Sequence, residues 1–163
     1  MKYYNNHYLS AGYAKAREGM SLIRPFEIPA GQVLYRFFDS NRARSPAEGA
    51  DGPWWLEYEH FQTIKHFALR NGYGISYAAR LFAAILYEWS EVNAWVACEL
   101  TESLHAWKGR GRQVMSTGKD ARDLPTMTPM QSVLEIYQVV LPGVGGKASI
   151  ASNVLRVTKH GAL

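Results

Sequence analysis

A chain of 163 residues with 47% hydrophobic residues is long enough to bury a core without staples, and it carries a formal charge of +4. Its single cysteine, Cys98, excludes an internal disulfide, and the histidines and carboxylates show no HExxH, CxxC or comparable spacing, so no metal site is expected. The apolar stretch from Ile75 to Trp89 is broken by Arg80 and Glu88 and is too short to span a bilayer, which points to a soluble protein. The N-terminus has no signal-peptide pattern. The expected location is therefore cytoplasmic, or outside the cell by a route that needs no cleaved signal.

In chain order, residues 1–24 are polar and tyrosine-rich, with a short helix expected over Tyr13 to Arg24 and Pro25 and Pro29 read as punctuation. Gln32 to Phe38 reads as a strand. It places Val33, Tyr35 and Phe37 on one face and Leu34, Arg36 and Phe38 on the other. Residues 39–53, rich in Asn, Ser, Arg, Pro and Gly, read as a long loop. Glu57 to Leu69 has Phe61, Ile64 and Ala68 at helical spacing, and Asn71-Gly72 ends it. Ser76 is the expected N-cap of a second helix, Tyr77 to Trp89, with Ala78, Leu81, Phe82, Ile85 and Trp89 as its apolar stripe.

Val92 to Leu100 switches to a period of two, with Val92, Ala94, Val96, Cys98 and Leu100 on one face. A short strand follows over Leu104 to Trp107, then a second long loop over 109–131. Val133 to Leu141 and Val154 to Thr158 complete the strands. Without alternating βαβ units, the pattern predicts a single α+β domain. Its sheet is mixed or antiparallel, open to a split, with two central helices packed against it.

The whole charge excess falls in residues 105–122, where Lys108, Arg110, Arg112, Lys119 and Arg122 face only Asp120. Such a run can meet phosphate on a dinucleotide or on a nucleic acid. No Walker pattern, RNP, KH or zinc-finger signature accompanies it. The rival reading to an enzyme is therefore a nonenzymatic nucleic-acid-binding or protein-interaction domain that uses this loop.

Two side chains stand out for their surroundings. Arg36 lies between Leu34 and Phe38 on one strand face, where a guanidinium is costly unless it meets a carboxylate, a cleft or an anion. Glu135 alternates with Val133 and Tyr137 in an apolar strand, and burial there would raise its pKa or demand a partner. A strand-borne glutamate can hold a ribose hydroxyl and stabilise an oxocarbenium ion. Gln138 and Gln131 are weaker options for the same neighbourhood. Cys98 reads as a small buried side chain rather than a nucleophile, and the pair Trp54-Trp55 as core or pocket lining.

The pair Tyr35-Arg36 at the end of an early strand resembles the NAD-binding arginine strand of ADP-ribosyltransferase-like toxins and effectors. The passage Trp95-Val96-Ala97-Cys98-Glu99-Leu100 to Leu104-His105-Ala106-Trp107-Lys108-Gly109 is similar to the strand-to-glycine passage of small members. Val133 stands where that family has a second Glu or Gln before its late glutamate, and its Ser-Thr-Ser-like motif is absent. The resemblance implies a split antiparallel sheet that clasps NAD as co-substrate, with Arg36 and Glu135 as catalytic residues. Arg36, Tyr35, Gln138 and Arg42 would then be the NAD-binding residues. It also implies cleavage of the nicotinamide–ribose bond, and a macromolecular acceptor or an inhibitor protein as partner.

Overall fold

In the computed structural model, which describes residues 3–130 and 135–163, a 3-10 turn (Asn6–Tyr8) leads into helix α1 (Leu9–Gly19). Strand β1 (Met20–Ile28) follows directly, so the helix expected over Tyr13 to Arg24 lies earlier and gives way to an unexpected strand. Pro25 does not break β1, because β1 is an edge strand that, among the described residues, pairs only with β5 (Leu104–Gly111). A bulge between Ser21 and Arg24, with Leu22 at φ 52°, removes the alternation that would have marked it.

Strand β2 (Val33–Phe38) is followed by a loop that contains the short helix α2 (Pro46–Gly49), capped by Ser45 accepting from the Glu48 backbone N–H. Next come β3 (Trp54–Glu57), α3 (Tyr58–Asn71) and α4 (Ile75–Ala83). Gly72 closes α3 in the left-handed conformation at φ 69°. Helix α4 is shorter than the apolar stripe suggests, with Gly74 rather than Ser76 at its N-cap and Ala84 at φ 51° ending it. The Ser76 hydroxyl instead donates to Glu91 O at 3.3 Å.

The remaining elements are β4 (Ala94–Leu100), β5, β6 (Val114–Met115), β7 (Thr126–Met127), β8 (Tyr137–Val140), α5 (Ala151–Val154) and β9 (Leu155–Ala162). The expected second long loop thus holds the end of β5 and the small β6–β7 ladder. Gln131 and the expected start of the strand before Glu135 lie outside the described residues.

The α+β fold is built on a seven-stranded sheet in the order β1-β5-β8-β3-β2-β4-β9, and its ladders are antiparallel. Strand β3 divides it. Trp54 and Trp55 pair with Val140 and Val139 of β8, whereas Leu56 and Glu57 pair with Tyr35 and Leu34 of β2. One core joins the two groups of strands, drawing Leu34, Val96 and Leu100 from one and Trp55, Ala106 and Val139 from the other. Helices α3 and α4 cover the other face of β2, β3 and β4 through Leu56, Phe61, Ile64, Ala79 and Phe82. Helix α1 covers the group β1-β5-β8 with Ala16, against Met20 and Val140. No helix of the described residues is long and apolar enough to cross a membrane.

Candidate functional site

The division of the sheet leaves a gap. Tyr35 pairs with Leu56, but beyond it β3 turns to β8, so β2 has no ladder to β3 from Arg36 onward. A cleft of about 790 Å³ opens there. Its floor and sides are residues 35–39, Gly49, 54–56 and Gln138; its outer wall is Ala84, Ile85, Trp89 and Ser90, with Gln113, Val114 and Met115; Lys15, Glu18 and Gly19 close the α1 side.

Arg36 brackets the gap. Its Nε donates to Gly49 O and its Nη1 to Trp54 O, both at 2.9 Å. The guanidinium thereby supplies donors to carbonyls at the place where the ladder between β2 and β3 has stopped. Among the described residues no carboxylate forms an ion pair with it. Burial pulls its pKa down to about 10, partly offset by the Asp51 carboxylate, so it stays charged at neutral pH. Glycine is required at position 52 for this fit, since a Cβ there would stand 2.1 Å from Nη2.

The structure brings all four of the residues expected to bind NAD to this cleft, along with Trp54, Trp55 and Arg112. Arg36 and Gln138 both border it, and Gln138 is only 7% exposed with Nε2 3.5 Å from Ala83 O. Tyr35 also borders it, but its ring turns to the helices and stacks on Phe61 at 4.5 Å. Arg42 lies at the mouth, donating to Trp89 O at 2.7 Å and Glu88 O at 3.1 Å, with Asp39 3.5 Å away.

Glu135 is placed elsewhere. Its carboxylate is 48% exposed, lies 3.5 Å from Arg110 and accepts the Tyr137 hydroxyl at 2.8 Å. It does not line the cleft that Arg36 and Gln138 share.

The basic run is also largely committed within the fold. Lys108 pairs with Glu57, Arg110 with Glu135, and Arg122 with Glu91 and Asp120, while Arg112 donates to Arg17 O at 3.0 Å. A surface whose cations already face carboxylates offers little net field to a phosphate backbone. Cys98 is buried in β4, and desolvation pushes its thiol up to about 11, so it is an inert core side chain.

Sequence reasoning missed Arg80, which is 3% exposed and donates to Ile85 O at 3.1 Å and Ser90 O at 2.6 Å. The signal was the same one that marked Arg36, a guanidinium inside an apolar pattern. Trp89 was assigned to a helix stripe, yet it is 47% exposed at the rim of the cleft.

Neither a protein-family model nor a curated protein matches the sequence. In three dimensions the chain is similar to one in the structure of Tne2 in complex with Tni2, at 15% identity and a TM-score of 0.51, covering 86% of this chain and 92% of that one. It is also similar to one in the structure of Rhs1-CT in complex with its cognate immunity protein RhsI1. There the identity is 10% and the TM-score 0.50, over 89% of this chain and 84% of the other. At these identities the likeness is one of fold.

Proposed function

We propose that this chain is a toxin-type effector domain that takes NAD into the cleft at the split of the sheet and cleaves its nicotinamide–ribose bond. ADP-ribose would pass to water or to a macromolecular acceptor, and a dedicated inhibitor protein would be the natural counterpart. The observation that carries the reading is Arg36, a guanidinium held by two carbonyls, with no ion-paired carboxylate among the described residues and a cleft beside it. The fold shared with Rhs1-CT, a protein solved with its immunity protein, supports the toxin-type assignment and the expected inhibitor.

The cleft volume falls within the usual range for small-molecule and cofactor sites, roughly 300–1,000 Å³. A planar guanidinium that stays charged suits a pyrophosphate oxygen, and Arg112, which donates to the Arg17 carbonyl, adds positive charge to the wall, whereas Lys15 and Arg42 there face Glu18 and Asp39. In the reaction the bond between ribose C1′ and the nicotinamide ring nitrogen breaks, and its electron pair stays on that nitrogen, which becomes neutral. The ribose passes through an oxocarbenium-like state, an acceptor oxygen bonds to C1′, and the proton of that oxygen goes to solvent. Positive charge that moves from the ring to the sugar needs a polar neighbour there. Gln138 is the buried amide that the cleft offers to a ribose hydroxyl, whereas Glu135 stands outside and is given no part in the reaction.

The test is direct. The purified chain is incubated with NAD, nicotinamide release is followed chromatographically, and NAD binding is measured by calorimetry. Gln138→Leu should lower turnover by roughly 10²-fold with the fold intact, while Glu135→Gln should stay close to the unsubstituted chain. If the unsubstituted chain neither binds NAD nor releases nicotinamide, the reading is rejected.

A further inference from the structure

The outer wall of the cleft belongs to no large element, yet it is held from three sides. Its inner segment runs from Ala84 to Val92, and both end residues have φ 51°. Left-handed backbone is uncommon outside glycine and exceptional for a β-branched residue such as valine. It persists where the surroundings over-determine it, and such places collect at ligand clamps.

Those surroundings can be named. From beneath, the two Arg80 donors hold Ile85 O and Ser90 O, and the guanidinium carbon lies 3.6 Å from the Tyr87 ring centroid. From the β2 side, Asp39 accepts the Glu91 N–H at 3.0 Å and Arg42 donates to Trp89 O at 2.7 Å. From outside comes the arm 112–127. Its Asp123 accepts the N–H groups of Tyr87 and Glu88 at 2.8 and 2.9 Å, and the Glu88 carboxylate accepts the Thr117 N–H at 2.8 Å. Ala84 and Leu86 of the wall share a small apolar seam with Val114 and Met127 of the arm.

Arg122 locks this joint. Its Nη2 and Nη1 reach the two Glu91 carboxylate oxygens at 2.5 and 3.2 Å, its Nη2 also reaches Asp120 at 2.8 Å, and its guanidinium carbon lies 4.2 Å from the Tyr87 ring centroid. One side chain thus touches two residues of the inner segment, Glu91 and Tyr87, and Asp120 of its own arm. At 49% exposure it can be changed without disturbing the core. The backbone around Trp89 is pinned while its indole stays open at the cleft mouth, with no paired aromatic ring among the described residues.

We infer that Arg122 is a positioning residue of this cleft: by joining arm to wall it holds Trp89 and Ser90 where a ligand must pass, and it sets affinity rather than the chemical step. The identity of the ligand as NAD rests on the function proposed above. Lysine keeps the charge but not the planar fork that engages both Glu91 oxygens, so it should restore only part of the effect.

The experiment compares Arg122→Ala, Arg122→Lys and Glu91→Gln in the full chain by amide hydrogen exchange and by NAD kinetics. In the alanine variant, exchange at the amides of Tyr87, Glu88 and Glu91 should rise roughly tenfold. The KM for NAD should rise by about the same factor with kcat unchanged within about twofold. Lysine should fall between, and Glu91→Gln should match alanine. Unchanged exchange in Arg122→Ala, or a fall in kcat at constant KM, would overturn the inference. If the unsubstituted chain binds no NAD, the proposed substrate is wrong, and the exchange comparison, which needs no ligand, still decides whether Arg122 holds the wall.

Discussion

Replacing Gly52 with alanine tests the Arg36 bracket without touching Arg36. An added Cβ would lie 2.1 Å from Nη2, 2.2 Å from Cζ and 2.8 Å from Nε, far inside any tolerable approach. The guanidinium is the flexible partner, so it moves. It then loses its bonds to Gly49 O and Trp54 O, both 2.9 Å in the native fold. A hydrogen bond from a charged donor contributes about 1.5–3 kcal/mol, part of which water restores once the group swings into the cleft. The expected cost is therefore about 3 kcal/mol, a large share of the roughly 5–15 kcal/mol that holds a domain together. For a chain of this size that corresponds to a Tm lower by about 6–12 °C. Thermal and urea denaturation read the value directly. In an Arg36→Ala background the same Gly52→Ala change should cost less than about 0.5 kcal/mol, because the three atoms nearest the added Cβ have gone. An equal cost in both backgrounds, or no cost in the native one, would refute the bracket.

Arg80→Met should destabilise the chain by about 3 kcal/mol, since Ile85 O and Ser90 O lose buried charged donors; a urea midpoint close to that of the native chain would contradict this. Native Cys98 should resist a thiol reagent at pH 8 and react freely in urea, because its thiol is buried and shifted up to about 11; rapid native labelling would show that β4 opens. Hydrogen bonds with Thr117 hold Glu88 below its ordinary value, and those with Arg122 do the same for Glu91 and bring Asp120 to about 2. Depressed carboxylates stabilise the fold above their unfolded pKa and lose that contribution as pH falls through the folded value. Exchange protection of residues 84–92 should thus be flat from neutral pH to about 5 and fall between about pH 4 and 2; protection that fades above pH 5 would point to another group.

What could be read from the chain follows from how far each signal reaches. β2, α3 and β4 stand where expected because their apolar residues alternate or recur every turn, and those periods are local. The stripe that suggested a longer second helix holds as far as Ile85, which is partly covered but in a loop, while Trp89 at its end is 47% exposed. Hydropathy records burial and not the backbone that achieves it. Two carbonyls of the loop that follows α4, those of Ile85 and Ser90, are taken by Arg80, a contact with no sequence period. β1 was hidden for the opposite reason: as a bulged edge strand it exposes most of its side chains and accommodates Pro25. At the candidate site the anomaly of Arg36 was legible and its partners were not. Alternation showed which face Arg36 occupies, whereas the carbonyls that receive it belong to α2 and β3. The same limit applies to Glu135, whose partner turned out to be Arg110 on the neighbouring strand, two residues past Lys108 in the basic run.

A sheet that gives two residues of β3 to each neighbour creates both a gap and a need for donors at its edge, because buried carbonyls left without partners are costly. Water could meet that need, and so could a neutral amide. An arginine meets it with a charge that survives burial, since a pKa held near 10 leaves Arg36 protonated at neutral pH. The bracket that closes the split is then also a fixed cation beside the cleft the split creates. Stability and anion attraction are carried by one guanidinium, so variants of Arg36 itself cannot separate them. Gly52→Ala displaces the charge without deleting it, and Gln138→Leu alters the cleft without loosening the bracket. Activity lost in the second with the melting point kept, set against stability lost in the first, is the pattern that this arrangement requires.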